Sequence, residues 1–120
     1  MTGNDKAERN ARLSAAHHMA GGVRIAALHG EIDYDAQDIL RQALLPEGEP
    51  VLPVVADISG VSFMDSSGIN VLLRASQQIS QAQSWLRIAA PNESVRRVLS
   101  LTGADTVIDC HPTVEDALNA

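Results

Sequence analysis

The sequence contains few aromatic residues and a single cysteine. Its 120 residues include one Phe, one Tyr and one Trp, so the core must be built from aliphatic side chains. Cys110 has no second cysteine with which to form an internal disulfide, and we interpret it as a small apolar residue near a strand end in a reducing compartment. The length predicts one domain, and an apolar fraction of 45% is typical of a folded chain.

Basic charge and long apolar runs are also scarce. Nine Lys and Arg residues against 15 Asp and Glu residues give a net charge of −6. Nucleic acids and anionic membranes both attract basic surfaces, so neither is an expected partner. No apolar stretch approaches the ~20 residues of a membrane helix, and the N-terminus lacks the apolar segment of a secretory signal. We therefore expect a cytoplasmic protein that does not insert into membranes.

Residue types that carry catalysis or bind metals do not form a recognisable pattern. His17 and His18 are adjacent and cannot share one face of a strand or helix, and no Cys-x-x-Cys or His-x-x-x-His spacing occurs. A Gly-x-Ser-x-Gly elbow and glycine-rich phosphate loops are absent. The sequence therefore predicts a binding protein, without a metal or cofactor, rather than an enzyme.

Apolar periodicity predicts strands that alternate with helices. Residues 1–16 are polar and are interpreted as a flexible tail, and residues 17–120 as the folded domain. The predicted strands are 17–19, 23–28, 52–58, 85–90 and 106–108, and the predicted helices are 36–44, 69–80, 92–102 and 113 onward. Turns or loops are predicted at 21–22, 29–33 and 59–60. This order indicates an α/β fold with a mixed, mostly parallel sheet of four to five strands packed against about four helices.

The junction between the central strand and the second helix reads Asp65-Ser66-Ser67-Gly68. Asp65, Ser66 and Ser67 can cap the helix, Ser66 through its hydroxyl, and a serine hydroxyl there can also accept a phosphoryl group from a kinase. From these residues alone capping is a sufficient explanation, and both interpretations stay open. We expect Phe63 to be buried beneath the junction, whereas Met64 is compatible either with the core or with an exposed apolar contact.

Five segments of the chain occur in an order that carries more information than any one of them. They are Gly30–Asp33, Val55–Gly68, Ser94–Leu99, Leu101–Gly103 and Pro112–Leu118. In this order they resemble the STAS domain, and specifically the bacterial anti-sigma factor antagonists. The resemblance extends from about Val23 to Ala120 and implies a STAS-type fold.

The resemblance also implies a function. In that family the dephosphorylated antagonist binds an anti-sigma factor that is a serine/threonine protein kinase, which frees the sigma factor. The kinase phosphorylates the serine after the motif aspartate, and a serine phosphatase reverses the reaction. By position the acceptor is Ser66, with Ser67 less favoured, and the free protein is a monomer or weak homodimer. The implied partner-binding residues are Asp33, Phe63, Met64, Asp65, Ser66, Ser67, Gly68, Ile69 and Asn70.

An alternative within the same family is a STAS adaptor that does not switch. Such a subunit serves a transporter of the lipid-transport ATPase type or a stress-signalling complex. The same surface then binds its partner permanently, and Ser66 is not modified.

Overall fold

A five-stranded mixed sheet forms the centre of the molecule in the computed structural model, which describes residues 12–120. The strands are β1 (Leu13–Ala20), β2 (Val23–Ile32), β3 (Val54–Met64), β4 (Leu86–Ala89) and β5 (Asp109–His111), and the helices are α1 (Gln37–Leu44), α2 (Ser66–Gln81), α3 (Glu93–Leu101) and α4 (Val114–Asn119). Two 3-10 turns span Tyr34–Ala36 and Ala104–Thr106. Neighbours in the sheet follow chain order, with β1 antiparallel to β2 and the other pairs parallel. The predicted fold class is confirmed.

The two faces of the sheet are covered unequally. Helices α1, α2 and α3 pack on one face, where Leu40, Leu72 and Leu99 join the strand residues Leu28 and Ile58 in the main core. Successive strand residues point to opposite faces, and a smaller cluster on the other face contains Ile25, Val55 and Ala117 of α4. The buried apolar residues in the described range include no aromatic side chain, which confirms the aliphatic core. Within residues 12–120 no helix has the length and apolarity needed to cross a membrane.

The first hairpin begins earlier than the sequence predicts. Its turn at Gly21-Gly22 is confirmed, and both glycines have the positive φ angles, 57° and 82°, that a tight hairpin turn requires. Strand β1, however, starts at Leu13 rather than at residue 17. Leu13 is buried opposite Gly30 of β2, so residues 13–16 belong to the sheet. Residues 1–11 of the predicted tail lie outside the described residues.

Strands β2 and β3 continue through segments that the sequence assigns to loops. Residues 29–32 and 59–60 are strand, and the pairing of β2 with β3 shifts register twice, between Ala27 and His29 and between Gly30 and Glu31. Each shift places an extra residue in β3 and reverses which side chains face the core. Gly60 lies in the first irregular stretch, and the His29 imidazole occupies the space that a Cβ atom at position 60 would need.

The last strand also differs from the prediction. Residues 104–106 form a 3-10 turn after Gly103, and β5 follows at Asp109–His111 instead of 106–108. Ala104 and Ile108 are both buried in the main core, and the Ile108 N–H donates to the Ala104 carbonyl at 2.9 Å, so the chain between them turns instead of extending. The predicted helix ends are confirmed at three places, where Gly103 has a φ of 78° after α3, Asn92 caps α3, and the hydroxyl of Thr113 accepts from the Asp116 N–H.

Candidate functional site

The junction between β3 and α2 is held by Asp65. Its carboxylate Oδ1 accepts hydrogen bonds from the backbone N–H groups of Ser67, at 2.9 Å, and Gly68, at 3.4 Å. Its own N–H donates to the carbonyl of Ile32 at 3.1 Å, which ties the end of β3 to the end of β2. The N-cap of α2 is therefore Asp65, and the alternative in which the Ser66 hydroxyl caps the helix is wrong.

Ser66 is the first residue of α2 and is exposed. Among residues 12–120 its hydroxyl takes part in no hydrogen bond, because Asp65 supplies the cap. Ser67 is half-buried. Asn70 is exposed and lies four residues after Ser66, so the two side chains are neighbours on the surface of the helix. Ser66 is therefore the more accessible of the two serine hydroxyls at the junction.

Three of the implied partner-binding residues lie beneath this surface rather than on it. Met64 and Ile69 are each only 3% exposed and belong to the main core. Gly68 is buried, and a Cβ atom there would collide with Cγ2 of Ile32 and lie 3.0 Å from Cγ of Met64. Glycine at this position lets the start of α2 pack on the chain's own strands. These residues position the junction from below.

Phe63, which we expected to be buried, is 48% exposed. Val61 and Met64 face the main core on either side of the second register shift in β3, and Phe63, between them, is directed away from it. Tyr34 is 73% exposed and directly follows Asp33 at the end of β2. No sequence pattern marks Tyr34 as a binding residue, and the one available signal is its position directly after the Gly30–Asp33 segment. Each of the two strands that meet at the junction therefore has an exposed aromatic residue near its end: Tyr34 lies two residues after β2, and Phe63 is the next-to-last residue of β3.

The junction is acidic. Ile32 and Met64 are paired in the sheet, so Asp33 and Asp65 follow them at equivalent places at the same end of the sheet. Oδ1 of Asp33 accepts from the N–H of Asp35 at 3.1 Å and begins the first 3-10 turn. The ion pairs within residues 12–120 join other carboxylates to arginines and include neither Asp33 nor Asp65. A phosphate on Ser66 would therefore add to charge of the same sign.

Cys110, His17 and His18 lie on the two edge strands of the sheet, whereas the junction follows the central strand β3. Cys110 is half-buried in β5, and burial together with Asp105 and Asp109 raises the pKa of its thiol to about 11. The thiol is thus protonated at neutral pH and is a weak nucleophile. His17 and His18 lie on β1 at the opposite edge of the sheet. In the part of the chain that the structure describes, no three metal-binding side chains come together.

The fold and the junction agree with one protein family. The family model of the STAS domain matches residues 16–117. The chain belongs to the STAS domain family. Its junction at Asp65–Gly68 lies within the matched range, as do both exposed aromatic residues.

Relatives of this STAS domain include anti-sigma factor antagonists. The anti-sigma-F factor antagonist RsfB of Mycobacterium tuberculosis is 32% identical over 110 residues, which cover 88% of this chain and 85% of RsfB. The anti-sigma F factor antagonist of Paenibacillus polymyxa is 27% identical over 113 residues, 92% of each chain. The crystal structure of an anti-sigma factor antagonist from Mycobacterium paratuberculosis superposes with a TM-score of 0.77 at 27% identity, covering 89% of this chain and 92% of that one.

Replacing Asp65 with alanine is expected to destabilise the STAS domain by about 1 kcal/mol, because two N–H groups of the first turn of α2 lose their acceptor. Urea unfolding followed by circular dichroism measures this change. Asp65→Asn keeps a side-chain oxygen at the same place and should retain most of the stability. An equal loss in the two variants would show that the negative charge, rather than the hydrogen bonds, stabilises the junction.

Proposed function

We propose that this STAS domain is an anti-sigma factor antagonist that acts by binding rather than by catalysis. Its unphosphorylated form binds an anti-sigma factor that is a serine/threonine protein kinase, and the sigma factor is released in the cytoplasm. The observation that carries the proposal is the exposed hydroxyl of Ser66, which has no hydrogen-bond partner in the described residues and directly follows the capping aspartate. The names of the curated relatives support the same function.

Phosphorylation of Ser66 is the proposed off-switch. The kinase transfers the γ-phosphoryl group of ATP to Oγ of Ser66, the hydroxyl loses its proton, and ADP leaves. A serine phosphatase restores the hydroxyl by hydrolysis and releases inorganic phosphate. The modification adds about −1.5 to −2 charges at neutral pH to a surface that already carries Asp33 and Asp65.

The phosphorylated domain is expected to stay folded. Ser66 is at the N-terminal end of α2, where the helix dipole favours negative charge. The N–H groups of Ser67 and Gly68 are bound to Asp65, so the phosphate need not replace any hydrogen bond of the native chain. Phosphorylation is therefore expected to lower the affinity for the partner, which would have to bury a doubly charged group beside two carboxylates.

The exposed aromatic residues complete the proposed binding surface. Partly exposed aromatic side chains are frequent sites of large binding energy when a partner covers them. Phe63 lies three residues before Ser66, and Tyr34 lies beside Asp33 at the end of the neighbouring strand. An apolar contact at these residues would bring the partner close enough to detect the charge on Ser66.

Phe63→Ala is expected to weaken binding to the kinase by about 30-fold, or roughly 2 kcal/mol, which isothermal titration calorimetry can measure. Because the ring is half exposed in the free chain, the melting temperature should change little. Leu101→Ala is the matched control, since Leu101 is 80% exposed at the end of α3. Equal effects of the two substitutions on affinity would place the binding surface elsewhere.

Affinity capture from an extract of the host cells tests the proposed function. The immobilised baits are the wild-type chain, Ser66→Ala and Ser66→Asp, and bound proteins are identified by mass spectrometry. The expected result is an anti-sigma factor with a kinase domain on the first two baits and its loss from the third. Capture of a transporter ATPase in equal amounts by all three baits would contradict the proposal and favour the adaptor that does not switch.

A further inference from the structure

Within residues 12–120, strand β1 is an unprotected edge of the sheet. It is eight residues long, and all of its residues except Leu13 and Ala20 are exposed. One side of the strand is paired to β2 along its whole length, and no strand of the described residues pairs with the opposite side. Protein sheets usually protect such edges with charged residues, proline, a bulge or a very short strand. Strand β1 reads Leu-Ser-Ala-Ala-His-His-Met-Ala, and its pairing with β2 has no register shift. By contrast, β5 at the other edge has only three residues.

The hairpin geometry shows which backbone groups of β1 are free. In antiparallel strands, opposite residues alternate between pairs that exchange hydrogen bonds and pairs that do not. Glu31 donates to the carbonyl of Arg12 at 3.0 Å, so these two residues form a hydrogen-bonded pair. Because the pairs alternate along the strand, the N–H and C=O groups of the even-numbered residues of β1 point toward β2. The outward-directed groups belong to Leu13, Ala15, His17 and Met19.

We propose that β1 pairs with β1 of a second copy of this chain, antiparallel, around a two-fold axis that passes beside Ala16. In this register Leu13 lies opposite Met19 of the second copy, and Ala15 lies opposite its His17. Every outward-directed backbone group of both strands then has a partner, and the two sheets become one. Pairs that do not exchange hydrogen bonds approach to about 4.5 Å between Cα atoms, which suits the two alanine side chains on the axis.

Charge and side-chain chemistry favour a second copy as the occupant of this edge. The chain has a net charge of −6, so most contacts between two copies bring like charges together. Strand β1 has no Asp, Glu, Lys or Arg, and two copies can meet there without that repulsion. The register also places Met19, which is 55% exposed in the single chain, beside Leu13 of the other copy. A two-fold contact between identical strands satisfies both copies equally.

Two proline substitutions at adjacent alanines test the pairing. Ala15→Pro removes an outward-directed N–H and leaves the β1–β2 hydrogen bonds in place, whereas Ala16→Pro removes an N–H that pairs with β2. Sedimentation velocity of the full chain from about 10 µM to 1 mM should show a dimer that forms with increasing concentration. Ala15→Pro should stay monomeric with a melting temperature close to that of the wild type, and Ala16→Pro should melt lower by about 5 °C or more. A wild-type chain that is monomeric throughout, or an Ala15→Pro variant that still dimerises, would overturn the proposal.

Disulfide trapping tests the register even if a proline variant folds poorly. In a Cys110→Ser background, Ala16→Cys should form a linked dimer on mild oxidation, because disulfides join Cα atoms roughly 4.4–6.8 Å apart. Ser14→Cys is the matched control, since the register places it opposite His18 of the second copy and far from the cysteine introduced into that copy. Efficient linkage of Ser14→Cys, or none of Ala16→Cys, would overturn the register. Ser66 follows β3, two strands from this edge, so this test and the test of the proposed function are independent.

Discussion

Ser66→Asp is expected to weaken binding of this STAS domain to the proposed anti-sigma kinase by at least about 100-fold, which corresponds to about 2.7 kcal/mol. The aspartate places a carboxylate at an exposed position on the proposed binding surface, which already carries Asp33 and Asp65. A partner that covers the junction would have to remove water from this charge without gaining an ion pair. Isothermal titration calorimetry with the purified kinase measures the change.

Two controls separate the position of the charge from its presence. Ser66→Ala removes the acceptor but adds no charge, so its affinity should stay within a few fold of the wild type. Ser80→Asp adds the same charge at an exposed position near the other end of α2 and should also bind normally. All three variants should have circular dichroism spectra like that of the wild type. Wild-type affinity of Ser66→Asp would be incompatible with a switch at this residue.

Gly68→Ala is expected to destabilise the domain by about 1–3 kcal/mol, although alanine is ordinarily the better helix former by about 1 kcal/mol. The added methyl group collides with Cγ2 of Ile32, which is fully buried and cannot move aside without disturbing the core. The start of α2 must then shift away from the sheet. Urea unfolding measures the loss of stability.

A double-mutant cycle identifies the contact that is responsible. Ile32→Ala removes Cγ2, so Gly68→Ala should cost little in that background, with a coupling of about 1 kcal/mol or more between the two sites. Because the shift of α2 moves Ser66 relative to Phe63, Gly68→Ala should also weaken binding to the proposed kinase. The control for stability is Asn70→Ala, which changes an exposed residue of the same helix and should leave the free energy of unfolding nearly unchanged. Additive effects of Gly68→Ala and Ile32→Ala would refute the packing explanation.

Local chemistry made several features of the fold predictable from sequence. Asn92 and Thr113 have side chains that satisfy the N–H groups of a first helical turn, and both cap helices at the predicted positions. Gly21-Gly22 forms the predicted hairpin turn for the same kind of reason, since both positions need positive φ angles. These caps and this turn each depend on a few consecutive residues. They mark where strands and helices begin and end, and the order of those elements predicted the fold class.

Features that depend on neighbouring strands were not predictable in the same way. The register shifts of β3 arise from its pairing with β2, and the apolar pattern of β3 contains no signal that two residues are extra. An uninterrupted alternation from Ile58 would direct Met64 inward as observed, but it gives no account of the buried Val61. The two shifts together leave Met64 facing the core and Phe63 directed away from it at the end of the strand, so the prediction that Phe63 is buried was wrong.

The candidate site was predictable in its chain position but not in its surface. The Asp-Ser-Ser-Gly motif located the junction, and the structure places Ser66 at the start of α2 with an accessible side chain. Sequence alone could not decide whether aspartate or serine capped the helix, because both residue types are good caps. Nor could it show that Met64, Gly68 and Ile69 are buried, since that follows from how α2 packs on β2 and β3.

Mapping of phosphorylation sites tests whether Ser66 is a regulated phosphoryl acceptor. The chain is purified from its own host under several growth and stress conditions, and its modified residues are located by tandem mass spectrometry with intact-mass measurement of the phosphorylated fraction. We expect a single phosphate on Ser66 whose occupancy rises and falls with conditions. A chain that carries no phosphate under any condition, or carries it only at another residue, would contradict a switch at Ser66.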